Sequence, residues 1–167
     1  LDAIGVSSGP GSYTGIRVAL SAAKGLCFAL NIPLITFNSL ELLARSAAYF
    51  VKDINALYCP MIDARRMEVF TAVYNYTLQE LIRPSAIVLD ENSFVDILNL
   101  NEVYFSGSGS PKFKNINNSV NSFFINAPVS TESLTEISWE KFKKNEFENL
   151  TDTKPLYIKE FHTVLRK

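Results

Sequence analysis

The stretch SSGPGSYTGIRVALSAAKGLCFAL, from Ser7 to Leu30, decides the fold. Glycine and proline end the apolar run of residues 2–8, which predicts a buried strand there. A helix is predicted over residues 14–30 and a second buried strand over residues 32–38. Strand, helix and strand in this order predict a parallel, right-handed crossover unit. The fold class is therefore α/β.

The predicted helix is apolar on two sides. One face is suited to packing on a sheet and holds Ile16, Leu20, Ala23, Cys27 and Leu30. The opposite face carries small, uncharged residues. A glycine inside a helix lowers its stability by ~1 kcal/mol unless the close approach of another helix offsets this loss. Either a further segment of the same protein or a partner chain covers this face. We expect the partner-binding residues to be Arg17, Val18, Ser21, Ala22, Gly25 and Ala29, with Arg17 in a salt bridge to a partner or between lobes.

The loop before this helix has two interpretations. Gly9 and Gly11 can supply positive φ angles for a turn, and Ser12 or Thr14 can cap the helix. Free N–H groups at the helix start, including that of Gly15, can instead hold an anion. The loop matches neither the P-loop nor the dinucleotide-binding spacing. The residues favour a structural turn, and phosphate binding is the alternative.

The pattern changes after residue 55. We predict two strands joined by a tight turn at residues 63–66, further strands in SAIVLD, EVYFSGSGS and SFFINAP, a helix in ENSFVDILN with Asp90 as its N-cap, and a long helix opened by Ser130 or Thr131. Only seven charged residues lie in residues 1–60. We therefore predict two lobes, residues 1–55 and 56–167, with the first partly covered by another chain.

Charged residues crowd the predicted turn, namely Asp63, Arg65, Arg66 and Glu68. The arginines can grip a carboxylate or phosphate, while the alternative is an exposed hairpin with weak local ion pairs. We expect these residues to contact the other lobe or a partner.

The composition excludes several classes of protein. Hydrophobic residues make up 47% of the chain, and its net charge of −1 argues against a broad nucleic-acid surface. No apolar run is long enough for a membrane span. Cys27 and Cys59 lie in apolar runs and are predicted to be buried free thiols, which indicates a reducing compartment, the cytoplasm. Because Leu1 leads directly into a strand, we expect an upstream segment.

The segments of residues 7–44 and 61–74, which contain the motifs SSGPGSYTGIR and DARRMEVF, resemble the TsaB (YeaZ) family. The resemblance is good over residues 3–74 and weak beyond. It implies an actin-like/Hsp70-like ATPase-superfamily fold of two ribonuclease-H-like lobes, with the first lobe incomplete by its N-terminal ~50 residues.

The resemblance also implies a function. The family serves the synthesis of N6-threonylcarbamoyladenosine at position 37 of tRNA. TsaB is the non-catalytic partner of the transferase TsaD, pairs with itself when alone, works with an ATPase subunit and meets tRNA only indirectly. Ser39 and Leu43 stand where the catalytic relative has two metal-binding histidines, and His162 cannot form such a site alone. We therefore expect no metal, no cofactor and no catalytic residue. The alternatives are an ATP-using kinase or ATPase of the same superfamily and a degenerate glycoprotease-like peptidase.

Overall fold

The computed structural model describes residues 1–159; His162 lies outside them. The crossover unit is present as predicted. Strand β1 (Ile4–Gly9) pairs in parallel with β2 (Leu34–Asn38), and helix α1 (Tyr13–Leu30) joins them. Helix α2 (Ser39–Val51) follows β2 directly.

Five strands form the second sheet, in the order β5-β4-β3-β6-β7. Their bounds are β3 (Leu57–Asp63), β4 (Glu68–Tyr74), β5 (Glu80–Val88), β6 (Val103–Ser106) and β7 (Ser122–Phe124). β3, β4 and β5 are antiparallel neighbours, whereas β6 runs parallel to both β3 and β7. The sheet is therefore mixed.

Three further helices lie within the described residues: α3 (Val95–Leu98), α4 (Ser110–Lys114) and α5 (Thr131–Lys143). The prediction that Asp90 caps α3 is wrong. Its carboxylate accepts hydrogen bonds from the Asn92 amide and the Ser93 hydroxyl, which closes a local turn before the helix begins. α4 was not predicted.

Polar side chains fix the helix ends. Ser12 caps α1 by accepting from the Gly15 amide, and Asn38 caps α2 by accepting from the Leu40 amide. Asn31 ends α1 with a left-handed φ of 52°. Ser130, rather than Thr131, is the N-cap of α5. These caps confirm the predicted helix starts to within a residue.

Helix α2 lies between the two sheets. Its Leu40 and Ala44 pack in one buried cluster with Tyr58 and Tyr74 of the second sheet. α5 packs against α2 and β2, so residues beyond 130 also contact the first sheet. The division into lobes at residue 55 stays a prediction.

A buried arginine ties α2 to α5. Arg45 is 8% exposed and forms a bidentate ion pair with Glu140, with both N–O distances at 2.9 Å. It also forms a longer hydrogen bond, of 3.5 Å, with Glu136. The side-chain hydrogen bond from Arg45 lowers the pKa of the Glu140 carboxyl below its ordinary value of 4.5.

This pair predicts an acid-sensitive contribution to stability. A carboxyl whose pKa is lower in the folded chain stabilises the fold above its unfolded pKa, and that contribution is lost as pH falls through the folded pKa. We expect the free energy of unfolding to decrease as the pH is lowered beyond about 4.5. In Glu140→Gln this decrease should be less steep. Urea titrations at successive pH values measure this, and equal slopes in both proteins would contradict it.

Within residues 1–159, no helix is long and apolar enough to cross a membrane.

Candidate functional site

Helix α1 buries one face and exposes the other. Leu20, Ala23 and Cys27 are buried against the first sheet, as predicted. Ile16 is half-buried on the same face. The prediction that Leu30 also packs on the sheet is wrong, because Leu30 is the last residue of α1 and its side chain is 52% exposed. Cys27 and Cys59 are both free and buried, as the sequence predicted.

Among the exposed residues of α1, Arg17 is the only charged one, and it lies at the edge of the exposed arc. Apart from Arg17 and Tyr13, the exposed residues are Thr14, Gly15, Val18, Ala19, Ser21, Ala22, Gly25, Leu26, Phe28, Ala29 and Leu30. Val18 is 64% and Phe28 82% exposed. A Cβ added at Gly25 would meet no atom within 4 Å. The predicted partner-binding residues Val18, Ser21, Ala22, Gly25 and Ala29 therefore lie exposed on one uncharged surface, which we call the α1 face. Arg17 is exposed at the edge of this face, and the role of all six residues stays a prediction.

Gly25→Ala tests whether this glycine is required by the chain itself. The helical position is open, so alanine should stabilise the chain by ~0.5–1 kcal/mol through its higher helix propensity. Thermal or urea unfolding measures the change. A loss of stability would show that the fold of the chain itself requires this glycine. A gain would show that the chain does not require it, as expected if the glycine serves the close approach of another helix.

The glycine loop carries the turn that the sequence favours. Gly9 has a φ of 115°, which L side chains rarely adopt, whereas Gly11, at 159°, is nearly extended. A Cβ at Gly9 would lie 3.0 Å from the backbone oxygen of Leu156. The Ser8 carbonyl accepts a 2.7 Å hydrogen bond from the Leu156 amide. The loop is thus in close contact with the distant segment of residues 153–159.

The 63–68 turn is held by lysines from remote segments. The Lys112 ammonium lies 2.8 Å from the Asp63 carboxylate, and Lys159 lies 2.9 Å from Glu68. The hydrogen bond from Lys112, followed by that from the Arg65 amide, lowers the pKa of Asp63. Arg65 and Arg66 are exposed, with left-handed φ angles of 71° and 47°. Neither arginine forms an ion pair within the described part of the chain.

The loop and the turn face each other across one cleft of about 570 Å³. Pro10, Gly11, Tyr13 and Ile16 form one wall. The other is lined by Ala64, Arg65, Arg66, Glu68 and Phe70, and residues 156–159 complete the lining. The glycine loop and the charged turn, which the sequence analysis identified separately, therefore line the same cleft.

Arg17 forms no salt bridge within the described residues, and its predicted salt bridge to a partner stays a prediction. Its Nε donates a 2.6 Å hydrogen bond to the Tyr157 hydroxyl. Its guanidinium also lies 3.6 Å from the centre of the Tyr13 ring. The Tyr13 ring and the Tyr157 hydroxyl thus both contact the Arg17 side chain. The sequence showed no signal that would place Tyr157 beside α1.

Ser39 and Leu43 lie between the two sheets. The Ser39 hydroxyl is 2.6 Å from that of Ser7, at the carboxyl end of β1. A Leu43 methyl is 3.5 Å from the Cβ position of Gly107, in the loop after β6. In the region covered by the structure, no group of three or more potential metal-ligating side chains occurs.

The buried thiol of Cys59 is a poor nucleophile. Burial raises its pKa to about 12, so the nucleophilic thiolate is not populated near neutral pH. Its sulfur contacts the Thr71 hydroxyl at 3.3 Å. This agrees with the sequence analysis, which gave no reactive role to Cys59.

Comparison with solved structures defines the class of protein. A Pseudomonas aeruginosa protein described as similar to peptidase YeaZ superposes with a TM-score of 0.79, at 22% identity, over 95% of this chain and 74% of its own. The P. aeruginosa YeaZ structure gives a TM-score of 0.72 at 24% identity, over 94% of this chain and 74% of its own. The fold is the actin-like α/β fold, as the resemblance implied.

Sequence comparison then identifies the family. The family model described as TsaD, tRNA N6-adenosine threonylcarbamoyltransferase, matches residues 1–163. The Bacillus subtilis tRNA threonylcarbamoyladenosine biosynthesis protein TsaB is 43% identical over 76 residues, which are 46% of this chain and 31% of that protein. The chain belongs to this family, as a TsaB (YeaZ) member. Its match spans about a third of the length of such curated relatives.

Proposed function

We propose that this chain is a non-catalytic subunit of the cytoplasmic machinery that makes N6-threonylcarbamoyladenosine in tRNA. It holds and activates a TsaD-type transferase through helix α1. Membership of the family and the function named for the TsaB relatives support the pathway. The exposed, charge-free α1 face carries the proposed role as a binding subunit.

The physical argument starts from the cost of exposing this face. Monomeric proteins rarely leave a contiguous apolar surface of this kind uncovered. Small residues such as Ala22, Gly25 and Ala29 let a second helix approach closely, and Val18, Leu26 and Phe28 add apolar area around them. A helix with an equally apolar face is the matching occupant. Since the transferase is a relative with the same fold, its equivalent helix is the proposed partner.

The surroundings of Ser39 and Leu43 support a role without catalysis. The Ser39 hydroxyl is engaged by Ser7, and Leu43 puts hydrocarbon beside the Gly107 loop. Neither side chain offers the imidazole nitrogen that zinc or iron prefers. We therefore assign the chemistry to the partner subunit.

The other partners follow from the same scheme. The chain pairs with itself through the α1 face when the transferase is absent, binds the ATPase subunit of the complex and meets tRNA only through the assembled complex. The exposed 63–68 turn, with Arg65 and Arg66, is the proposed contact for a second, acidic surface.

One observation favours a second candidate function, an ATP-using enzyme. Gly11 of the glycine loop and the two arginines line the same cleft, and both helix-start N–H groups and guanidinium groups bind phosphate. Micromolar ATP binding by this chain alone, measured by calorimetry, would favour that candidate.

Direct binding tests the main proposal. The purified chain is mixed with a TsaD-type transferase and followed by analytical ultracentrifugation. We expect a complex with one copy of each protein, formed at the expense of the self-associated chain. Absence of any complex at tens of micromolar, a concentration that even weak transient interfaces populate, would contradict the proposal.

A further inference from the structure

The segment of residues 153–159, which we call the strap, has no regular secondary structure, and its residues 156–159 line the cleft. At its start, the Thr153 carbonyl accepts a 3.0 Å hydrogen bond from the Lys24 ammonium of α1. At its end, the Lys159 ammonium lies 2.9 Å from both carboxylate oxygens of Glu68, at the start of β4. The strap therefore joins α1 to the second sheet.

The middle of the strap is bound to the glycine loop and the first turns of α1. The Leu156 amide donates to the Ser8 carbonyl at 2.7 Å, and the Tyr157 hydroxyl accepts from Arg17 at 2.6 Å. The Tyr157 ring lies 5.7 Å from that of Tyr13. Backbone, aromatic and charged contacts all converge on this short stretch.

The loop is shaped for this contact. The Leu156 backbone oxygen lies 3.0 Å from the position that a Cβ on Gly9 would take, and φ at Gly9 is 115°. Any other residue at position 9 would press on the strap and strain its own backbone. The requirement for glycine is thus explained by the approach of another backbone, without a phosphate.

Apolar packing adds to the polar contacts. Ile158 packs against the buried cluster that contains Leu40, Tyr58 and Tyr74, between the two sheets. Leu156 and Tyr157 line the cleft opposite Pro10 and the 63–68 turn. The strap consequently occupies part of the space between the loop and the turn.

We infer that the strap is an intramolecular latch, which spans the cleft between α1 and the 63–68 turn, and that the glycine loop is its receptor. While the latch is closed, the Ser8 carbonyl at the end of β1 and the side chain of Arg17 form hydrogen bonds with the strap. Opening requires the Leu156, Tyr157 and Lys159 contacts to break together, since they lie within the four consecutive residues 156–159.

Amide hydrogen exchange of the whole chain tests the latch. In the unaltered protein we expect the Leu156 amide to exchange slowly, because it is bonded to Ser8. Tyr157→Phe removes the hydroxyl and keeps the ring, and it should speed exchange at Leu156 roughly fivefold, the effect of losing one hydrogen bond. Tyr76→Phe is the matched control, because the Tyr76 ring contacts Tyr58 and, within the described residues, no hydrogen bond or ring contact joins it to the strap. It should leave this exchange unchanged.

A charge exchange tests the far end. Lys159→Glu and Glu68→Lys should each speed exchange at Leu156, and the double variant should restore the slow rate by reversing the ion pair. If the rate of amide exchange at Leu156 is unchanged by Tyr157→Phe, by Lys159→Glu and by Glu68→Lys, the latch is overturned. Protection of residues 9–15 by magnesium-ATP in the unaltered protein would overturn the assignment of the loop to the strap.

Discussion

Ala22→Arg is expected to abolish binding of the transferase while the chain stays folded. Ala22 lies exposed at the centre of the α1 face, so arginine fits in the free chain and keeps a high helix propensity. In the complex the guanidinium would be buried without a partner, which costs roughly 3–5 kcal/mol. We therefore expect the dissociation constant to rise at least ~100-fold, measured by calorimetry.

A matched pair of substitutions controls for the added charge. Val18→Arg places the charge on the α1 face, where Val18 is 64% exposed, and should behave like Ala22→Arg. Val120→Arg makes the same chemical change just before β7, at a residue 88% exposed, and should bind normally. Equal affinity for all three variants would show that the partner does not use α1. Unfolding by Ala22→Arg alone would show that the face is internal.

Phe105→Ala should produce the largest loss of stability. Phe105 is fully buried in β6, and its ring lies 5.0 Å from Phe113, 5.2 Å from Phe124 and 5.7 Å from Phe94. Removing this ring leaves a cavity among the other three, so we expect a loss of ~3–5 kcal/mol. That is a large fraction of the ~5–15 kcal/mol typical of a domain. Urea unfolding measures it through the transition midpoint.

Phe28→Ala is the corresponding control. Phe28 is 82% exposed on α1, so the same change of side chain should alter the free energy of unfolding by less than ~0.5 kcal/mol. If the two substitutions cost the same, the aromatic cluster around Phe105 is not the core of the second sheet.

Elements defined by local signals were predictable from the sequence. The apolar run before Gly9, the stop at Asn31 and the cap at Asn38 mark β1, α1 and α2 through neighbouring residues alone. β5 was predicted too short, because Pro84 interrupts its apolar pattern. As an edge strand, β5 tolerates this proline. α4 was missed because it follows a glycine-serine loop and spans only five residues.

The sequence predicted only the part of the candidate site that a single element, helix α1, forms by itself. The α1 face follows from helical periodicity, and its residues are exposed as that pattern required. The partners of Arg17 and Glu68 are Tyr157 and Lys159, which lie 140 and 91 residues away in the chain. No local pattern links such positions, since the strap lacks periodicity and is fixed by tertiary contacts. The sequence therefore predicted the loop and the turn separately, but not the cleft that joins them.

Reconstituted tRNA modification tests the central proposal most directly. The reaction contains tRNA, ATP, the threonylcarbamoyl-adenylate synthase, the ATPase subunit and the TsaD-type transferase, with this chain added or omitted, and modified adenosine is quantified by mass spectrometry. The scaffold account predicts product only when the chain is present, none when it replaces the transferase, and little with Ala22→Arg. Equal product without the chain, or product when it stands in for the transferase, would contradict the account.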